Sequence, residues 1–339
     1  MQSAVELRSW PTARPVPSAR VFVAIVVLCL IASAAFASLL PLQLSIVTVF
    51  LFAGPHNWFE LRYFLMRLPV RFGRSRNFFL TAFVGLGVLT LVYVSLPLVY
   101  NTTTLSEDAW STVIATWNTA LIVWLGALIC LRSKQKPRAN WTWLIPLGLA
   151  LCSLNWLGPN FFSLAIVYIH PPIALWFLDR HLRRTRPAWS RAYRRSLCLL
   201  PLILVGMIWQ LSQTSMLADN NGLFWRITQH SGAEVLPQVS SHLLVSVHLF
   251  LEMLHYAVWI VALPLIGSRA RFWDVKTVPV ARHPKGFPRL VGGVLVTALI
   301  AVAALWFGFS IDYATTRDVY FTVAIAHVLA EAPFLLRMI

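Results

Sequence analysis

Three histidines inside the apolar segments of this 339-residue chain are each followed by a glutamate four positions on, in His56-Asn-Trp-Phe-Glu60, His248-Leu-Phe-Leu-Glu252 and His327-Val-Leu-Ala-Glu331. A separation of four residues puts both side chains on one helix face. His255 follows Glu252 by three and joins that face, and His170 stands directly before Pro171-Pro172. All eight residues fall inside apolar segments, where an ionisable group is costly and belongs with a partner or at a functional site. Of the 12 acidic residues no other lies as deep, with Asp179 at an inner boundary.

Imidazole nitrogens and carboxylate oxygens without thiolates are a ligand set for iron, manganese or zinc, and iron is the metal this pattern points to first. The Glu-x-x-His pair resembles the inward-facing pairs of di-iron carboxylate bundles. Metal ligands are expected at His56, His170, His248, His255 and His327. Glu60, Glu252 and Glu331 would bridge two metals, or orient the imidazoles of one His-rich site by accepting the second ring N–H. The spacing leaves both arrangements open.

Helices must hold these groups at one depth. Apolar spans of about 20 residues lie near 20–42, 44–66, 78–100, 110–132, 139–158, 161–179, 196–216, 240–267, 288–311 and 317–337. They predict an all-α protein: a polytopic helical bundle of about ten transmembrane helices over 20–339, after a basic cytoplasmic tail over 1–19. The histidine-bearing spans are the second, sixth, eighth and tenth, all running from outside to inside. Their histidines fall roughly 12 to 22 Å below the outer end at 1.5 Å per residue, near the midplane, so they can converge.

Composition agrees, with 58% hydrophobic and 12% charged residues and a mean hydropathy of +0.70. The net charge of +16 invites a nucleic-acid reading, but 25 of the 28 Lys and Arg residues sit in the tails and loops that this topology places in the cytoplasm. Topology explains the charge, and no nucleic-acid partner is expected. Ala35-Phe36-Ala37 could pass for a signal-peptide cleavage site. An uncleaved first helix is expected, because it completes a run of short-looped helix pairs. The four cysteines lie in apolar spans without paired spacing and give no disulfide signal.

Among the 15 tryptophans, Trp110, Trp141, Trp189 and Trp273 are expected to anchor at the interface. Trp58, Trp117, Trp124, Trp176, Trp209, Trp259 and Trp306 lie deeper and either pack the core or line a pocket. Buried Arg62 is expected to pair with Glu60 or Asp179. Tyr63, Tyr168 and Tyr256 are candidate redox or acid groups beside the plainer reading of packed side chains. His181, His230, His242 and His283 are expected to be solvent-exposed or interfacial, Arg226 and Arg317 to lie in outer loops, and 217–239 to form an outer cap.

The run Phe52-Ala-Gly-Pro-His56-Asn-Trp58 resembles the first histidine motif of the Brp/Blh family of bacterial membrane enzymes. That resemblance implies histidine-held iron, polyene cleavage and a ligand role for His56. The motif's aspartate and small residue are replaced here by Asn57, Trp58 and Glu60.

Together these readings predict an iron-dependent oxygenase, hydroxylase or desaturase of a bacterial inner membrane, with both termini cytoplasmic. Its substrate would be a membrane lipid or isoprenoid, and an electron donor would serve it. Three other readings use similar residues: axial histidines of a haem, the relay of a proton- or ion-coupled transporter, and polar glue in a non-enzymatic scaffold.

Overall fold

The computed structural model describes residues 18–136, 141, 143–267, 274–284 and 286–338. Residues 1–17 of the basic tail, together with Trp273, lie outside the described residues. Every regular element among the described residues is helical. The helices are α1 (Ala19–Leu39), α2 (Pro41–Arg67), α3 (Arg76–Thr102), α4 (Glu107–Gln135), α5 (Leu144–Leu157), α6 (Pro159–Thr185), α7 (Pro187–Leu197), α8 (Leu199–Leu211), α9 (Gly222–His230), α10 (Ser241–Tyr256), α11 (Leu263–Gly267), α12 (Pro279–Arg282), α13 (Pro288–Ile311) and α14 (Tyr313–Met338).

Among the described residues, eight helical stretches are long and apolar enough to cross a membrane: α1, α3, α4, α6, α7 with α8, α10 continuing into α11, α13 and α14. Helices suit that role because every backbone bond is made within the segment. The other two expected spans are helical but differ. α2 has 27 residues, and Gln43, His56, Asn57, Glu60 and Arg62 interrupt its apolar run, whereas α5 has only 14. The outer surface is strongly apolar, with Leu91 73% and Trp209 85% exposed, as lipid contact requires.

Local signals set the helix ends. The Ser106 hydroxyl accepts from the Ala109 N–H at 3.3 Å, Glu107 and Asp108 occupy the first turn of α4, and Arg132 and Lys134 its last, which complements the helix dipole. Proline opens α2, α6, α7 and α13, where its missing N–H costs nothing. The connection expected over 180–195 is instead mostly helix. α6 runs on to Thr185, and α7 packs against α1 and α6. Trp189 is therefore buried, its ring stacked on Phe22 at 4.7 Å. Arg194 holds Asp179 with two hydrogen bonds of 2.8 Å.

Most of the deep tryptophans fasten helix to helix. Trp117 and Trp124 of α4 donate their indole N–H to the Leu89 and Thr81 carbonyls of α3 at 3.0 and 2.9 Å. Trp58 of α2 donates to Leu295 of α13 at 3.0 Å, and Trp306 of α13 returns the bond to Phe50 of α2 at 2.8 Å. Gly54 lets these two helices close, since a Cβ there would stand 2.9 Å from Val302. α10 is the most buried of the eight candidate spans and packs against α1, α2, α6, α8 and α9. α14 packs on α2, α3, α4, α6 and α13. Hence α2, α6, α10 and α14 surround one central axis.

Short α5 is held by a polar tie: Asn118 Nδ2 donates to Asn155 Oδ1 at 2.8 Å and Asn155 Nδ2 to the Ala115 carbonyl at 2.8 Å, both side chains fully buried. Asn155→Leu leaves Asn118 short of a partner. It is expected to lower stability by about 1 kcal/mol, read as a lower melting temperature of the detergent-solubilised protein.

Candidate metal centre

Four of the five predicted histidines meet on the central axis, one from each surrounding helix. Ring centroids of His56 (α2) and His255 (α10) are 5.2 Å apart, His56 and His327 (α14) 5.2 Å, His170 (α6) and His255 4.7 Å, and His170 and His327 4.9 Å. The Nε2 atoms of His170 and His327 approach to 3.1 Å. His56 Nδ1 donates to the Phe52 carbonyl at 2.9 Å, which leaves its Nε2 as the nitrogen free to act as a ligand. His170 Nδ1 stands 3.1 Å from Glu331 Oε2.

Glu60 and Glu331 are each 1% exposed. Neither carboxylate oxygen of Glu60, and neither ring nitrogen of His255, has a hydrogen-bond partner. One ligand atom from each of His56, Glu60, His255 and His327 lies within 4.8 Å of the others, and the same holds for His170, His255 and Glu331. Buried polar atoms left without partners are rare and costly. A cation at their centre would satisfy several at once.

Each of the four helices carries a proline or a π turn beside its site residue. Pro55 precedes His56, Pro171 and Pro172 follow His170, and Pro333 lies two past Glu331. Without an N–H, Pro171 and Pro172 free the carbonyls of Val167 and Tyr168 on the preceding turn. α10 passes directly after His255 into a π-helical turn over Ala257–Ala262, a feature that accompanies functional sites.

The fifth histidine, His248, does not join the four. It lies about two turns nearer the N-terminus of α10, with Glu252 and with His230 from α9, and one ligand atom from each of the three lies within 4.8 Å of the others. The His230 and His248 rings are 5.2 Å apart. His230 was expected at an exposed or interfacial position, and the structure corrects this by folding the 217–239 cap so that α9 packs on α2, α10 and α14. Gly232 at φ +96 turns the chain there, and the Tyr168 hydroxyl fastens it by donating to the Ser231 and Leu244 carbonyls at 2.9 and 3.0 Å. Tyr168 is thus structural, whereas the Tyr256 ring lies 4.8 Å from His56.

Other expectations are also corrected. Arg317 is 3% exposed and lies on α14 rather than in a loop, with its guanidinium 4.6 Å above the Phe321 ring, and Arg226, on α9 of the 217–239 segment, pairs with Asp318. Arg62 donates to Thr277 Oγ1 at 3.2 Å rather than to Glu60 or Asp179. His181 is buried, its Nδ1 3.1 Å from Arg67.

Both histidine groups line one cavity of about 130 Å³, whose other wall is apolar, with Tyr93, Trp117, Ile166, Ile325 and Val328. No family model, curated protein or solved structure matches the chain. The chemistry therefore has to be argued from these side chains alone.

A Cβ on Gly232 would come within 2.6 Å of Leu164, at a φ that L-residues avoid. Gly232→Val is expected to cost about 1–3 kcal/mol, read as a lower melting temperature, whereas the same change at Gly87, which has open space around it, leaves the melting temperature within a degree or two of wild type, about 0.5 kcal/mol or less.

Proposed function

We propose that this protein is an integral membrane oxidoreductase that holds one iron ion among His56, His170, His255 and His327, with Glu60 beside it, and oxidises the hydrocarbon part of a lipid or isoprenoid. The observation that carries the reading is the convergence of four imidazoles from four helices, with the unpartnered Glu60 carboxylate beside them, in a buried interior. The 3.1 Å between the His170 and His327 Nε2 atoms matches two ligands of one ion, each about 2.1 Å from it and near a right angle apart. It also weighs against haem, because a macrocycle does not fit between rings in such contact. Glu331, beside His170 Nδ1, sets that ring's tautomer and orientation.

When bound, the iron would supply dioxygen activation. Putting one oxygen atom of O₂ into a C–H bond consumes two electrons and two protons and releases one water, so the reading includes a redox protein as electron donor. This chain's own groups do the rest. The apolar wall seats an alkyl or polyene segment, and the bundle keeps bulk water from the site. In this reading α2 and α5 complete ten crossings in a bacterial inner membrane, with both termini cytoplasmic.

Elemental analysis of detergent-purified protein tests it, with a visible spectrum alongside. The expected result is iron at the four-imidazole cluster, lost in His56→Ala and His327→Ala, with no haem Soret band. A folded wild-type chain that takes up no iron overturns the reading. Ile325→Trp fills the apolar wall and should keep the iron while lowering turnover of extracted lipids by about tenfold or more, followed by mass spectrometry of oxygenated products.

A further inference from the structure

The outer group has its own architecture. His248 and Glu252 share one face of α10, and each is more than nine-tenths buried. His230 reaches them from a short cap helix fixed by the Gly232 turn and the Tyr168 clasp. Glu252 Oε1 lies 3.8 Å from His248 Nε2, too far for a hydrogen bond but suited to two ligands flanking a common atom. A pair serving only as helix glue would close that gap, and it would gain nothing from a third imidazole.

We propose that His230, His248 and Glu252 form a second site for a divalent first-row metal ion, separate from the four-imidazole cluster and opening onto the same cavity. Two imidazoles and one carboxylate with positions left open are the donor set of non-haem iron(II) and catalytic zinc sites. His248 precedes His255 by seven residues, about 10 Å along the helix, so the two sites do not share ligands. The Arg317 guanidinium does not close the site. It lies over Phe321 and donates to the Arg226 carbonyl at 3.4 Å. An ion here would offer its open positions to an oxygen at the polar end of the molecule in the cavity. The proposal does not depend on iron at the inner cluster.

The test is metal counting on the full chain in detergent, stripped with chelator and titrated with Zn²⁺ or, without air, Fe²⁺. Wild type should bind two equivalents and His230→Ala one, with Glu252→Gln as a second, nearly isosteric variant and His327→Ala as the reciprocal control that keeps the outer ion. Co²⁺ loading gives an independent readout, since the difference spectrum between wild type and Glu252→Gln should show the ligand-field bands of one lost site. One equivalent in wild type, lost with His327→Ala and kept by both outer variants, overturns this proposal and leaves the iron reading standing. Two equivalents kept by both outer variants also overturn it, and no binding by folded wild type removes both.

Discussion

A polar atom buried in a membrane bundle has to be satisfied within the protein, because lipid offers neither hydrogen bonds nor counter-charges. Much of this structure follows from that constraint. The indoles of Trp58, Trp117, Trp124 and Trp306 spend their N–H groups on carbonyls of the neighbouring helix, Asn118 donates to Asn155 and Asn155 to the Ala115 carbonyl, Asp179 takes Arg194, and Tyr168 bonds two carbonyls. Against that background one group of atoms without hydrogen-bond partners lies together: both carboxylate oxygens of Glu60, both ring nitrogens of His255 and one nitrogen of His327.

The backbone is treated differently there as well. α2, α6 and α14 each carry one or two internal prolines beside a site residue and α10 has its π turn, whereas α1, α4 and α13 contain none and α3 carries Pro97 away from the site. A broken ladder re-aims the side chains that follow it, by a fraction of a turn that no straight helix allows. Prolines on three of these helices and the π turn on the fourth stand within a few residues of the site side chains.

Much of this was legible in the sequence. The His-x-x-x-Glu spacing survives as paired faces, and every expected span contains a helix, because apolar length and helical period are local properties. His230 shows where local signals end. It too has a glutamate four residues on, Glu234, but Gly232 breaks the helix between them and Glu234 is exposed. Sequence distance then gives no face to share, and the true partners come from α10, through a cap whose packing no periodicity reports. Arg62 and Arg317 were misplaced for a related reason. Long side chains choose partners in connections, Thr277 and the Arg226 carbonyl, that pattern reading places only roughly.

The spread of the ligands along the chain constrains how the protein is made. His56 lies on the second helix and His327 on the last, with His170 and His255 between them. During synthesis the translocon releases helices in order, so an early chain exposes Glu60 and His56 on α2 without their counterparts. α2 is also one of the two helices least able to hold itself in lipid. It has to lodge against α1 and α13, or wait beside the translocon, until α14 arrives. The four imidazoles can therefore meet only once α14 has joined α2, α6 and α10, so the cluster itself reports that these four helices have assembled.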